Sequence, residues 1–152
     1  MTFQNKLTLL VAQTTSSNTH ARNIQILHAL ADRASEQRCD MLCLPEASGL
    51  MNQDPSAGNG IVTEQEDPYV ATCRALARTH KIWIHNGSTP VLGPAGLAVN
   101  RTLLFDDTGA VVARYDKIHL FDIYLPDGKD RLESKRYSPG NQSVLALSLI
   151  HI

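Results

Sequence analysis

Apolar and polar positions fall in blocks along the chain, and the period changes from block to block. Residues 7 to 13, "LTLLVAQ", are a continuous apolar run of strand length. The following "TTSSN" offers several side chains able to cap a helix. Ile24, Ile26, Leu27, Leu30 and Ala31 then recur near helical spacing between polar positions, which predicts a helix over 18–37. Residues 40 to 45, "DMLCLP", read as a short buried strand. The stretch "MNQDPSAGNGIVTEQEDP" is rich in Gly, Pro and Asn and predicts a loop long enough to serve the mouth of a site. After Pro68, "YVATCRALARTH" returns to helical spacing, with Val70, Cys73, Leu76 and Ala77 on one face. "KIWIHNGST" is a third apolar run ending in Asn-Gly, and "PVLGPAG" after it reads as a loop. Two strand-like runs flank "DDTG", a strong hairpin signal, and "SVLALS" is strand-like again. Strand, helix, strand, helix, strand and hairpin imply an α/β architecture with a parallel portion, without internal repeats.

Composition narrows the partners. The 152 residues, 43% hydrophobic and 19% charged, suit one globular domain or part of one. A formal net charge of -1 with scattered Lys and Arg leaves no basic stripe for nucleic acid or an anionic membrane, so neither partner is expected. No apolar stretch reaches bilayer-spanning length, and "MTFQNKLTLL" lacks the pattern of a secretory leader, so a cytoplasmic protein is expected. Cys39, Cys43 and Cys73 cannot all pair, and their spacing does not suit zinc. Each lies in an element whose apolar spacing explains it, so free, packed thiols are expected and none reads as an activated nucleophile. The six histidines form no ligand pattern, and neither a metal nor a cofactor is expected.

Chemistry concentrates where strands run out. Glu46 follows "LCLP", Lys117 ends the second hairpin strand in "ARYDK", and Glu133 precedes the turn "SPG". In open α/β sheets, ligands bind at such strand ends. Alone, any of these would read as a solvated surface charge. His119 reads as a loop hydrogen-bonding group, and Asn86 is explained equally by lining a pocket or by its Asn-Gly turn.

"LCLPE", "ARYDKIHLFD" and "ESKRYSPG" together resemble the nitrilase superfamily of carbon–nitrogen hydrolases, in the branch of ω-amidases and deaminated-glutathione amidases. "LPE" alone is weak; "YDKIHLFD" after a "DDTG" hairpin is highly specific. The likeness runs from residue 6 to about residue 147, the first half of one domain in that family. It implies the first half of a four-layer α-β-β-α sandwich, with strands such as "LTLLVAQ" buried on both faces and an inner sheet face left open where the second half would pack. It implies Glu46 as general base, Lys117 as oxyanion stabiliser and Glu133 as support for the pair. A thiol with a pKa of about 8.5 and a carboxylate of about 4.3 are poorly matched in water, so a complete site needs Glu46 buried to bring them together, with Lys117 opposing that shift and favouring the thiolate. The family's cysteine nucleophile would fall roughly 40 residues after the lysine, past Ile152. The chain is accordingly expected to be an inactive fragment whose full-length parent, a homo-oligomer, hydrolyses a small carboxylated amide to acid and ammonia. "LIHI" does not resemble the family's continuation, and residues 149 to 152 are expected to carry no function. The alternative is a non-catalytic α/β module that binds a polar ligand or partner.

Overall fold

The computed structural model describes residues 6–51, 60–93, 96–128 and 130–147. Residues 149 to 152, and residues 52 to 59 of the long loop before Pro68, lie outside them. The elements run β1 (Leu9–Val11), α1 (His20–Glu36), β2 (Met41–Cys43), α2 (Pro68–His80), β3 (Trp83–His85), β4 (Thr89–Leu92), β5 (Ala98–Phe105), β6 (Val111–Asp116), β7 (Asp122–Ile123) and β8 (Arg131–Leu132). A 3-10 turn over Glu133–Lys135 follows directly.

β1, β2 and β3 pair in parallel, as the strand–helix–strand order predicts. β5 organises the rest. One edge of it meets β3 near Phe105 and β4 near Ala98, and the other edge meets β6, all antiparallel. The hairpin turn is "DDTG", where the Asp106 carboxylate accepts from the Thr108 and Ala110 amides and Gly109 takes a positive φ. β7 and β8 form a separate two-stranded ribbon.

Side-chain alternation assigns the two faces. Leu42, Ile84, Leu103 and Phe105 point to the helices and form the main core with Leu27, Ala31, Val70, Cys73 and Leu76. The buried face of α2 is the one the spacing predicts, and Asp67 caps the helix by accepting from the Tyr69 and Val70 amides ahead of Pro68 at the first helical position. On α1 the buried residues are Asn23, Leu27, Ala31 and Ala34, while Ile24, Ile26 and Leu30 are only partly buried. Asn23 is buried because it pins the preceding loop: its amide bonds the Ser17 backbone and the Gly49 carbonyl.

Leu9 and Val11 of β1 are exposed on the sheet face away from the helices, the face expected to lie open, and among the described residues β1 pairs only with β2. Two expectations need correction. "PVLGPAG" is not all loop: Thr89–Leu92 is a strand, and Pro90 is tolerated because, among the described residues, β4 pairs along one edge. "SVLALS" is not a strand over its described residues, 143 to 147; it meets no partner strand, and Val144, Leu145 and Leu147 are exposed. Only Ala146 packs inward, against a small cluster of Met41, Trp83 and Leu104 on the sheet face away from the helices. The result is a helical layer on a sheet layer, with the sheet's second face only lightly covered.

Candidate active site

Glu46 sits on an elbow three residues past β2. Ala47 adopts a left-handed conformation (φ 56°), which turns the chain sharply and presents the preceding carboxylate. The β3–β4 connection braces this turn. The Ala47 amide donates to the Ser88 hydroxyl at 2.8 Å, the Gly49 amide donates to the Ser88 carbonyl, and the Leu44 amide donates to the His85 carbonyl. Gly87, at φ 69°, packs so tightly under the elbow that a Cβ would overlap the Pro45 carbonyl. Asn86 therefore has a structural role: it is fully buried, and its side chain accepts from the Leu103 amide.

Lys117 follows the last residue of β6. Its amide donates to the Asn100 carbonyl on β5 at 3.0 Å, and its own carbonyl accepts from the Gly140 amide at 2.9 Å. Gly140, in "SPG", lies where a Cβ would overlap the Asp116 carbonyl, so this segment clamps the lysine's backbone rather than merely turning the chain. The Ile118 amide bonds the Tyr115 hydroxyl, which starts the departure from the sheet. Four residues after Lys117, Phe121 meets Glu133 twice: its amide donates to the Glu133 carboxylate at 2.6 Å and its carbonyl accepts from the Glu133 amide. The Ser134 hydroxyl and amide hold the Asp122 carboxyl below the usual carboxylate range and bind it to the same turn. The "YDKIHLFD" run thus has a physical meaning, since its start places the lysine and its end anchors the second carboxylate.

The structure brings the three side chains together. The Lys117 ammonium donates to Glu46 Oε1 at 2.9 Å and to Glu133 Oε2 at 2.9 Å. Partial burial disfavours its charge, but the hydrogen bonds and attraction of both carboxylates outweigh this, and its pKa is raised above the ordinary lysine value. Glu133 is the sheltered partner, with 15% of its side chain exposed. Glu46 is 62% exposed, because nothing among the described residues roofs the elbow; the desolvation that the chemistry needs was expected of a complete site. The three groups line an open cleft of about 720 Å³, within the usual size for small-molecule sites, together with Asn100, Phe121, Arg131 and Tyr137.

Sequence reasoning missed Asn100, whose amide donates to Glu46 Oε1 at 2.9 Å. The available signal was an Asn in the middle of a strand, a position this residue seldom takes. His119 is exposed, and it makes no loop hydrogen bond among the described residues. No cysteine lines the cleft. Cys39 and Cys73 are buried in the helix-side core, Cys43 points to the opposite sheet face, and burial pushes the Cys43 and Cys73 thiols up, away from nucleophilic character. Among the described residues, no group of three or more His, Cys, Asp or Glu is placed to hold a metal, and no helix is long and apolar enough to cross a membrane.

Comparison with known proteins matches residues 9–152 to the carbon-nitrogen hydrolase family. The chain is 31% identical over 143 residues to a deaminated glutathione amidase from Dictyostelium discoideum, covering 89% of this chain and 49% of that protein. The crystal structure of the nitrilase and fragile histidine triad fusion protein NitFhit from Caenorhabditis elegans superposes with a TM-score of 0.77 at 29% identity, over 90% of this chain and 34% of that one. An amidase from Nesterenkonia sp. AN1, solved with acrylamide added at its active site cysteine, superposes with a TM-score of 0.72 at 26% identity, over 95% of this chain and 54% of that one. The chain thus spans about half, or less, of the length of these relatives.

Proposed function

The chain belongs to the carbon-nitrogen hydrolase family, and from that premise we propose that Glu46, Lys117 and Glu133 are the acid-base and oxyanion-binding part of an amidase centre acting on a small carboxylated amide. The observation that carries this is the bridging lysine, held 2.9 Å from each of two carboxylates at the end of a sheet. A surface lysine gains little from such pairing; one whose backbone is clamped from two sides is oriented for a purpose.

The chemistry assigns each group a task. Glu46 takes the proton of an attacking thiol, and the sulfur adds to the amide carbonyl carbon. Negative charge collects on the carbonyl oxygen, where the Lys117 proton not used by the carboxylates can meet it. The C–N bond breaks as Glu46 returns its proton to the departing nitrogen, releasing ammonia and leaving a thioester. Water, deprotonated by the same carboxylate, hydrolyses the thioester to the acid and restores the thiol. Glu133 keeps the lysine charged and aimed. None of the three cysteines reaches the cleft, so in this proposal the thiol comes from polypeptide outside these 152 residues.

The test is ammonia release from ω-amides such as 2-oxoglutaramate. The 152-residue chain is expected to give none above background, whereas a full-length protein containing it turns over, and Glu46→Gln lowers that turnover by about 10²–10⁴-fold. Turnover by the 152-residue chain would contradict the need for an external thiol. An unaffected Glu46→Gln protein would remove the base.

A further inference from the structure

Glu46 is more than half exposed on a turn, yet its Oε1 accepts a hydrogen bond from Asn100, a residue outside the three motifs. We propose that Asn100 is a positioning residue: its side chain fixes the Glu46 carboxylate and reserves Oε2 as the proton-accepting atom, while its backbone fixes Lys117. This rests on the amidase reading of the cleft and adds a member to it.

Both contacts come from one residue. The Asn100 carbonyl accepts from the Lys117 amide at 3.0 Å, and its side-chain amide donates to Glu46 Oε1 at 2.9 Å. A single position in the middle of β5 therefore sets the separation between the two groups, and β5 is the most extensively paired strand of the sheet. The orientation of the Asn100 amide follows from its partner, since the reverse placement would set its oxygen against a carboxylate oxygen. Glu46 Oε1 then receives two donors, Asn100 Nδ2 and Lys117 Nζ. Oε2 makes no hydrogen bond among the described residues, which leaves it the available oxygen. Asn100 is only 8% exposed, and its own side-chain oxygen is buried without a partner. An unsatisfied buried acceptor costs stability, so packing does not explain this residue, whereas an amide donor aimed at Glu46 does.

The test reads the order of the Glu46 side chain by ¹³C relaxation of its Cγ in the 152-residue chain, in wild type, Asn100→Ala and Asn100→Leu. The leucine variant keeps the volume without the donor, so the result does not depend on one substitution folding, and amide shifts on α1 and α2 report the fold. A rigid Glu46 side chain in wild type that becomes rotamer-averaged in a folded variant is expected. Equal order in all three, or a Glu46 already averaged in wild type, would overturn the proposal. In the full-length protein the same variants should lower kcat by about tenfold or more with KM little changed, from loss of a hydrogen bond to a charged group. Unchanged kcat would likewise overturn it. Failure of the amidase reading is distinguishable, because it would appear as no turnover by the full-length protein with Asn100 intact.

Discussion

Lys117 carries a charge that the fold has arranged to keep. Its pKa is raised above the ordinary 10.5, so the sign of its effect on stability is set: the contribution is complete below 10.5 and disappears as pH rises through the higher value of the folded chain. Urea midpoints of wild type and Lys117→Met should therefore differ by a constant amount through the neutral range and converge in strong alkali. Convergence on acidification alone, down to about pH 6, would contradict this sign. The cysteines provide a second check at this scale. Cys73 is fully buried with its thiol pushed up by burial and by Asp67, so it should resist thiol reagents in the folded chain and react only on unfolding. At the residue scale, Glu46, Lys117 and Glu133 were legible because each stands in a recognisable run at a strand end. Asn100 was not, because "VNRT" carries no such run and its meaning depends on a partner 54 residues away.

Two glycines connect elements to the cleft. Gly87 holds the β3–β4 link beneath the Glu46 elbow, and Gly140 holds the "SPG" segment against the end of β6. Gly87→Ala meets both the Pro45 carbonyl and an unfavourable φ, and should cost about 1–3 kcal/mol from overpacking plus roughly 1 kcal/mol or more from the left-handed backbone. Gly140→Ala faces only the overlap and should cost less. Denaturant unfolding checks the order, and Gly87→Ala should also disturb Glu46 shifts more than Gly140→Ala does. Elements were legible where side-chain period settles the matter, as in α2 and the "DDTG" hairpin. They were misread where pairing settles it. β4 contains Pro90 and still pairs with β5 along its one ladder, whereas residues 143 to 147 have the composition of a strand but no ladder to join. Composition shows that a segment could pair, not whether a neighbour is there.

Over the described residues, two helices cover one sheet face and leave the other lightly covered. Leu9 and Val11 stand 45% and 75% exposed beside the small Met41–Trp83–Leu104 cluster, and Phe121, Tyr124, Leu145 and Leu147 add further apolar surface. Apolar area of this kind favours association, so sedimentation of the 152-residue chain should shift to larger species as concentration rises, and polar substitution of Val11 with Leu145 should reduce the shift. The α/β class and the helix-on-sheet layering were legible from the alternation of periods. The open sheet face was legible only through the family resemblance, because exposure depends on what lies against a strand rather than on its own sequence.

If the lysine bridging two carboxylates is a catalytic group, its loss should appear in kcat for ammonia release by the full-length protein carrying Lys117→Ala, with folding verified by circular dichroism. Loss of an oxyanion-stabilising cation predicts a fall of about 10²–10³-fold or more. A folded Lys117→Ala protein with kcat within twofold of wild type would contradict the account.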